Sequence, residues 1–213
     1  MGFEHLISAD SHLVEPYDIW TKALASKWGE DVLPHIVKDE NGKDLFFTGA
    51  EYIPIGGGII DQTHPDADIR ALVMRSGADP DARMQSLDID GVDFEVLNST
   101  WMLYAMRIEN GDLRRDCAKV YNDWAAEFTA SHRDRFIATA MIPVDDIHWA
   151  CQEVRRATDL GLKGAVVFCA RSDSSISRPP SLGMLTSQIA SAAVAFSRIA
   201  VAPSTPSSAS ITS

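Results

Sequence analysis

Apolar and polar positions alternate along this chain in blocks that switch between a period of two and a period near 3.6. The first apolar run enters through Leu6 and Ile7 and closes on a polar cluster, Asp10, Ser11 and His12, followed by Glu15 and Pro16. That run predicts a strand from Leu6 to His12. Trp20, Leu24 and Trp28 recur every four residues and predict a short amphipathic helix ended by Gly29. HIVKDENGKDLFF reads as a hairpin turning at Asn41-Gly42. Gly49 to Ala82 shows no period and reads as an irregular connection. Met84 and Leu87 lie on a helical face ending near Gly91. Val92 to Leu97 predicts a strand with Phe94 and Val96 on one side, closing on Asn98-Ser99-Thr100. Leu113, Cys117, Val120, Tyr121, Trp124 and Phe128 fall at spacings of three and four, the strongest helical stripe in the chain, with Asp112 as its cap. Phe136 to Ile142 predicts a strand stopped by Pro143. Trp149 to Leu160 predicts a helix capped by Gly161, and Leu162 to Phe168 reads as a buried parallel strand.

Strands near Leu6, Val92, Phe136 and Leu162, separated by helices, predict an α/β chain of about four βα units around a parallel sheet. Four such units are half of an eight-stranded (β/α)8 TIM barrel. From Arg171 the character changes. Ser, Ala and Pro dominate, Lys and Glu vanish, and Asp173 is the one acid. The expectation is therefore a structured unit over residues 1–170, with an insertion around residues 30–82, and a low-complexity, disordered tail over 171–213. Within that tail, Leu185, Ile189, Ala193 and Phe196 could form one helix.

Composition narrows the partners. The chain of 213 residues carries a formal charge of −11, which argues against nucleic acid and anionic membrane surfaces. No apolar run approaches the roughly 20 residues of a membrane span. The N-terminus holds Glu4 and no basic segment, so no signal peptide is expected. Leu6 stands where myristoylation of Gly2 would favour Ser or Thr. Cys117, Cys151 and Cys169 are odd in number and widely spaced, which suits reduced thiols in a cytoplasmic compartment.

The chemistry concentrates at the end of the first strand. Residues two apart in a strand point to one side, so Asp10 and His12 place a carboxylate and an imidazole next to each other. At the C-terminal end of a barrel strand, that pair can hold a divalent metal. The same triplet also occurs as a turn cap and a hydrogen-bonded strand end. Trp101, Tyr104 and Arg107 follow the second strand of the repeat and are candidates to line a substrate pocket, with loop packing as the alternative; His64 in the irregular segment could face a pocket too. Gly56-Gly57-Gly58 lacks the Lys-Ser/Thr and the strand–helix frame of a phosphate loop and reads as a flexible connection. His132 and His148 fall at helix or loop edges, His5 and His35 carry no motif, and Tyr121 and Trp124 read as core. No Ser-His-Asp or Cys-His arrangement is legible.

DSHLVEP near the N-terminus, LDIDGVDFEVLNST (Leu87 to Thr100), YNDW (Tyr121 to Trp124), HRDRFIATAMIPV (His132 to Val144) and DLGLKGAVVF (Asp159 to Phe168) occur in this order. Together they resemble the amidohydrolase-related proteins, the family of aminocarboxymuconate-semialdehyde decarboxylase-like metal-dependent hydrolases. The resemblance implies a TIM barrel with one divalent metal at its mouth, zinc or manganese, and a small-molecule substrate undergoing hydrolysis or decarboxylation. It carries two metal ligands onto Asp10 and His12, with Asp10 standing where the best-known members have His or Glu. Glu15 lies inside the matching motif without an assigned role; a carboxylate at a helix N-terminus is one reading. The family continues with a fifth strand bearing a His, and this sequence does not. A lost reading frame near Phe168 is the expectation that follows. So is the alternative of a catalytically inactive half-barrel, held by a partner or by a second copy through its open sheet edges.

Overall fold

A computed structural model describes residues 5–55 and 66–168. Two sheets organise them. The larger is parallel, with strands β1 (Ile7–Leu13), β5 (Phe94–Ser99), β6 (Phe136–Pro143) and β7 (Gly164–Phe168) side by side in that order. The smaller is antiparallel and holds β2 (His35–Lys38), β3 (Asp44–Phe47) and β4 (Tyr52–Pro54). Six α-helices connect and cover them: α1 (Ile19–Trp28), α2 (Ala67–Ser76), α3 (Pro80–Asp90), α4 (Met102–Ala105), α5 (Gly111–Phe128) and α6 (Ile147–Leu160). The described residues thus form an α/β structure whose larger sheet holds four parallel strands in sequence order, as expected from the pattern.

The helices bury one face of the parallel sheet. On β5 the buried residues are Glu95, Leu97 and Ser99, and the half-buried ones Phe94, Val96 and Asn98. The buried face is thus the one that carries Glu95, and not the Phe94–Val96 face. The cause is Arg83 of α3, which meets the Glu95 carboxylate through two hydrogen bonds of 2.7 and 2.8 Å, with both side chains buried. The same guanidinium donates to the His12 carbonyl at 2.9 Å, tying α3 to β1 and β5 together. Helix α5 packs on β6: the Tyr121 hydroxyl donates to the Thr139 carbonyl at 3.2 Å and the Phe128 ring meets Phe136, while Leu113 and Cys117 are buried on the same helix. Asn122 is buried as well: its amide donates to the Met141 carbonyl and to Glu153, and accepts from Met141 N–H. An amide inside the core is affordable because all these groups are matched.

Caps and turns differ from the sequence pattern in several places. Asn110, and not Asp112, caps α5, accepting from the Asp112 and Leu113 N–H groups. Helix α2 forms inside the stretch read as irregular; Asp66 caps it, and Leu72 is its one buried residue. The β2–β3 hairpin closes over five residues and not as a tight turn. The Asp39 side chain accepts from Asn41 and Lys43 N–H, and Gly42 takes φ +76°. Pro143 stays within β6, paired with Phe168. The small sheet buries Phe46 against Tyr17, Trp20 and Trp101, so it rests on the loops that follow β1 and β5. Residues 56–65, which hold Gly56–Gly58 and His64, and the tail from residue 169 lie outside the described residues.

Candidate metal centre

Strand β1 is not regular. Ser8 pairs with Glu95 and Ser11 with Leu97, so one extra residue of β1 sits opposite Val96. This is a β-bulge, and the Ser8 and Ser11 hydroxyls meet across it at 2.8 Å. Asp10 in the bulge and His12 beyond it share one face, with His12 Nε2 3.8 Å from Asp10 Oδ1. Both face solvent; the Asp10 side chain is 85% exposed and His12 44%.

The end of β5 holds both side chains. His12 Nδ1 lies 3.0 Å from the Ser99 carbonyl oxygen. A carbonyl only accepts, so Nδ1 carries a proton, and in the neutral ring Nε2 is left with a lone pair on the side of Asp10. That is the arrangement of a metal-ligating histidine, whose other nitrogen donates to a carbonyl or carboxylate. Asn98 donates from Nδ2 to Asp10 Oδ1 at 3.3 Å, and its own Oδ1 accepts from the Thr139 hydroxyl of β6 at 3.0 Å. Three strands therefore orient the pair: β1 supplies it, β5 fixes both groups, and β6 steadies Asn98. The donor set of one carboxylate and one neutral imidazole fits a divalent cation such as zinc or manganese. Among the described residues no third His, Cys, Asp or Glu joins them in a ligand cluster.

Beneath this pair lies Glu15, only 1% exposed. Its carboxylate accepts from the Ser99 hydroxyl and from the backbone N–H groups of Thr100, Trp101 and Met102 at 3.2, 3.1 and 3.2 Å. Burial pushes its pKa above the ordinary carboxylate range, and these hydrogen bonds oppose the rise. None of these donors belongs to α1, so Glu15 serves the turn after β5 and not the N-terminus of the helix that follows it.

The proposed pocket residues separate. Trp101 is fully buried, its ring packed against Tyr17 and Phe46, and it belongs to the core. Tyr104 is 37% exposed and receives the Arg107 guanidinium over its ring at 5.9 Å. Arg107 also pairs with Glu51 and borders a groove of about 650 Å³ that runs past Trp28, Glu51 and Asn110. The residues lining that groove include none from β1. The sequence pattern pointed to the pair itself but not to its supports. Asn98 and Ser99 stood out only as polar residues at a strand end.

No family model matches the chain. A curated relative, the 2-amino-3-carboxymuconate-6-semialdehyde decarboxylase of Dictyostelium discoideum, is 33% identical over 87 residues, 40% of this chain and 24% of the relative. Among solved structures, an amidohydrolase from Mycobacterium avium subsp. paratuberculosis superposes with a TM-score of 0.59 at 18% identity, covering 78% of this chain and 50% of the other. A 5-carboxyvanillate decarboxylase from Novosphingobium aromaticivorans, solved with bound manganese and a nitrobenzoic acid, gives a TM-score of 0.51 at 17% identity, covering 91% and 49%. The chain thus spans about a quarter of the curated relative and about half the length of these structures.

Proposed function

We propose, from the premise that this chain is related over part of its length to the amidohydrolase superfamily, that Asp10 and His12 are two ligands of one divalent cation, manganese or zinc. The protein would act as a metal-dependent carboxy-lyase or hydrolase on a small carboxylated substrate. The observation that carries this reading is the His12 ring, held by the Ser99 carbonyl with its Nε2 lone pair beside Asp10. A bound cation would polarise a substrate carboxylate or lower the pKa of a water. The protein's own part is to keep both donors oriented. Asn98 holds Asp10 from β5, Ser99 holds His12, and Arg83 anchors the His12 backbone from the helix side. Tyr104 of α4 and Arg107 just after it would contribute to substrate binding, and His64 from the segment between β4 and α2.

A second reading is a protein that binds metal without turnover, alone or held by a partner. It is favoured by the two-donor set among the described residues, where a catalytic zinc usually takes three protein ligands and a water. A second copy could meet the outer strands of the sheet, which among the described residues are β1 and β7.

Calorimetric titration of manganese or zinc into wild type, Asp10→Ala and His12→Ala tests the centre. One weak site in wild type, lost in both variants, is expected. Equal binding by all three proteins would refute the assignment. Carbon dioxide release from carboxylated aromatic acids by the metal-loaded protein separates the enzyme from the metal-binding reading.

A further inference from the structure

We propose that Glu15 is a positioning residue for His12: its buried carboxylate seats the Ser99–Met102 turn so that the Ser99 carbonyl holds the imidazole in one tautomer. This rests on the metal-centre reading above and adds to it the group that sets the orientation of its nitrogen ligand. Glu15 is buried with four donors shared evenly between its two oxygens. Oε1 takes the Ser99 hydroxyl and Met102 N–H; Oε2 takes Thr100 and Trp101 N–H. A carboxylate placed this way fixes a backbone turn in three dimensions, because moving it breaks several charge-assisted bonds at once.

Ser99 is the link. Its side chain donates to Glu15 while its carbonyl accepts from His12 Nδ1. Ser99 is fully buried and lies opposite Leu13, the residue after His12. His12 and Glu15 are three residues apart on the same chain, so His12, the intervening backbone, Glu15 and Ser99 close a ring of covalent and hydrogen bonds. Loosening the Glu15 corner lets the Ser99 carbonyl turn away, and the imidazole then has no reason to keep its proton on Nδ1. Thr100 Oγ1, 3.5 Å from the same nitrogen, is the nearest substitute and can donate as well as accept, so it does not select a tautomer.

The test uses metal-free, 15N-labelled protein and long-range 1H–15N spectra of the histidine rings under conditions where His12 is neutral, with His12→Ala identifying its signals. Wild type is expected to show a protonated Nδ1 and an unprotonated Nε2. Glu15→Gln replaces two acceptor lone pairs with an amide that opposes the backbone donors. It should give a mixture of tautomers and a manganese affinity lower by about tenfold or more, the loss typical of an outer-sphere partner. Ser99→Ala keeps the carbonyl but cuts the link to Glu15 and should move both readouts in the same direction; it serves if Glu15→Gln does not fold. Asn110→Ala, which removes only the α5 cap, should lower stability and leave the tautomer unchanged. An unchanged tautomer in Glu15→Gln, or in Ser99→Ala where the first does not fold, would overturn the proposal. A tautomer that shifts while His12→Ala binds manganese like wild type would uphold the Glu15 role and refute the metal centre instead.

Discussion

Replacing Arg83 by Met keeps the aliphatic stem and removes the guanidinium from a pair whose side chains are 9% and 8% exposed. Glu95 then loses both its charge partner and the two hydrogen bonds at 2.7 and 2.8 Å, and the His12 carbonyl loses a donor. At a charge separation of about 4 Å and an effective dielectric near 20, the lost attraction is about 4 kcal/mol. Breaking one side of a buried pair typically costs about 3–5 kcal/mol, because the abandoned charge stays desolvated. We therefore expect Arg83→Met to lose about 4 kcal/mol in urea unfolding and to lower the melting temperature by roughly 10 °C. Replacing both partners, Arg83→Met with Glu95→Leu, removes the buried charge altogether and should restore most of the loss. The double-mutant cycle gives the coupling directly. A single variant that loses less than about 1 kcal/mol, or a double variant no more stable than the single, would refute the reasoning.

Two further outcomes follow from buried groups elsewhere. Burial pushes the Cys117 thiol up to about 12, with Asp116 adding to the rise. Alkylating agents should therefore leave Cys117 untouched in the native protein at pH 8.5. Folding stability should fall as pH rises from about 9 toward 12, where the unfolded thiol ionises and the native one does not; modification of Cys117 at the same rate in native and urea-unfolded protein would contradict this. Asn122→Ala strands the Met141 N–H and carbonyl and frees one side of Glu153, and should cost about 3 kcal/mol by chemical denaturation. A cost under about 1 kcal/mol would mean that water replaces the amide.

What could be read from the chain was whatever depends on neighbours in sequence. The α5 stripe from Leu113 to Phe128 declares itself because burial there follows period. The apolar run of β7 gave the strand but not its burial: Ala165 is exposed and Val166 and Val167 are half-buried, where a buried strand was expected. Gly91 and Gly161 end α3 and α6 as expected, each in the left-handed region that glycine occupies freely. Helix α2 was not legible because it buries only Leu72 and so writes no stripe. Asn110 and Asp112 are both competent caps two residues apart, and local sequence does not choose between them. Which face of β5 is buried was not legible, because Glu95 looks polar until Arg83 arrives from another element. The same limit applied at the candidate centre. The spacing of Asp10 and His12 was visible, but the partner that seats Glu15, Ser99, is 84 residues away, and nothing near Glu15 announces it.

The bulge in β1 has a bearing on how this segment tolerates genetic change. Opposite Val96 the strand spends two residues, Ala9 and Asp10, where a regular ladder would spend one. Before the bulge Ser8 lies on the side of Glu95; after it Ser11 lies on the side of Leu97, and Asp10 and His12 fall on the other. Substituting Ala9 leaves this phase intact. Deleting its single codon leaves the phase intact as well: Asp10 alone then stands opposite Val96, Ser11 stays opposite Leu97 and His12 opposite Asn98, as in a regular ladder. A second loss between Ser8 and Leu13 has no slack to absorb it, and every side chain beyond it would swap faces, as any one-residue slip dictates. The bulge is therefore a spare count in the strand. A survey of random deletions across residues 7–13 would find one residue dispensable there and two not.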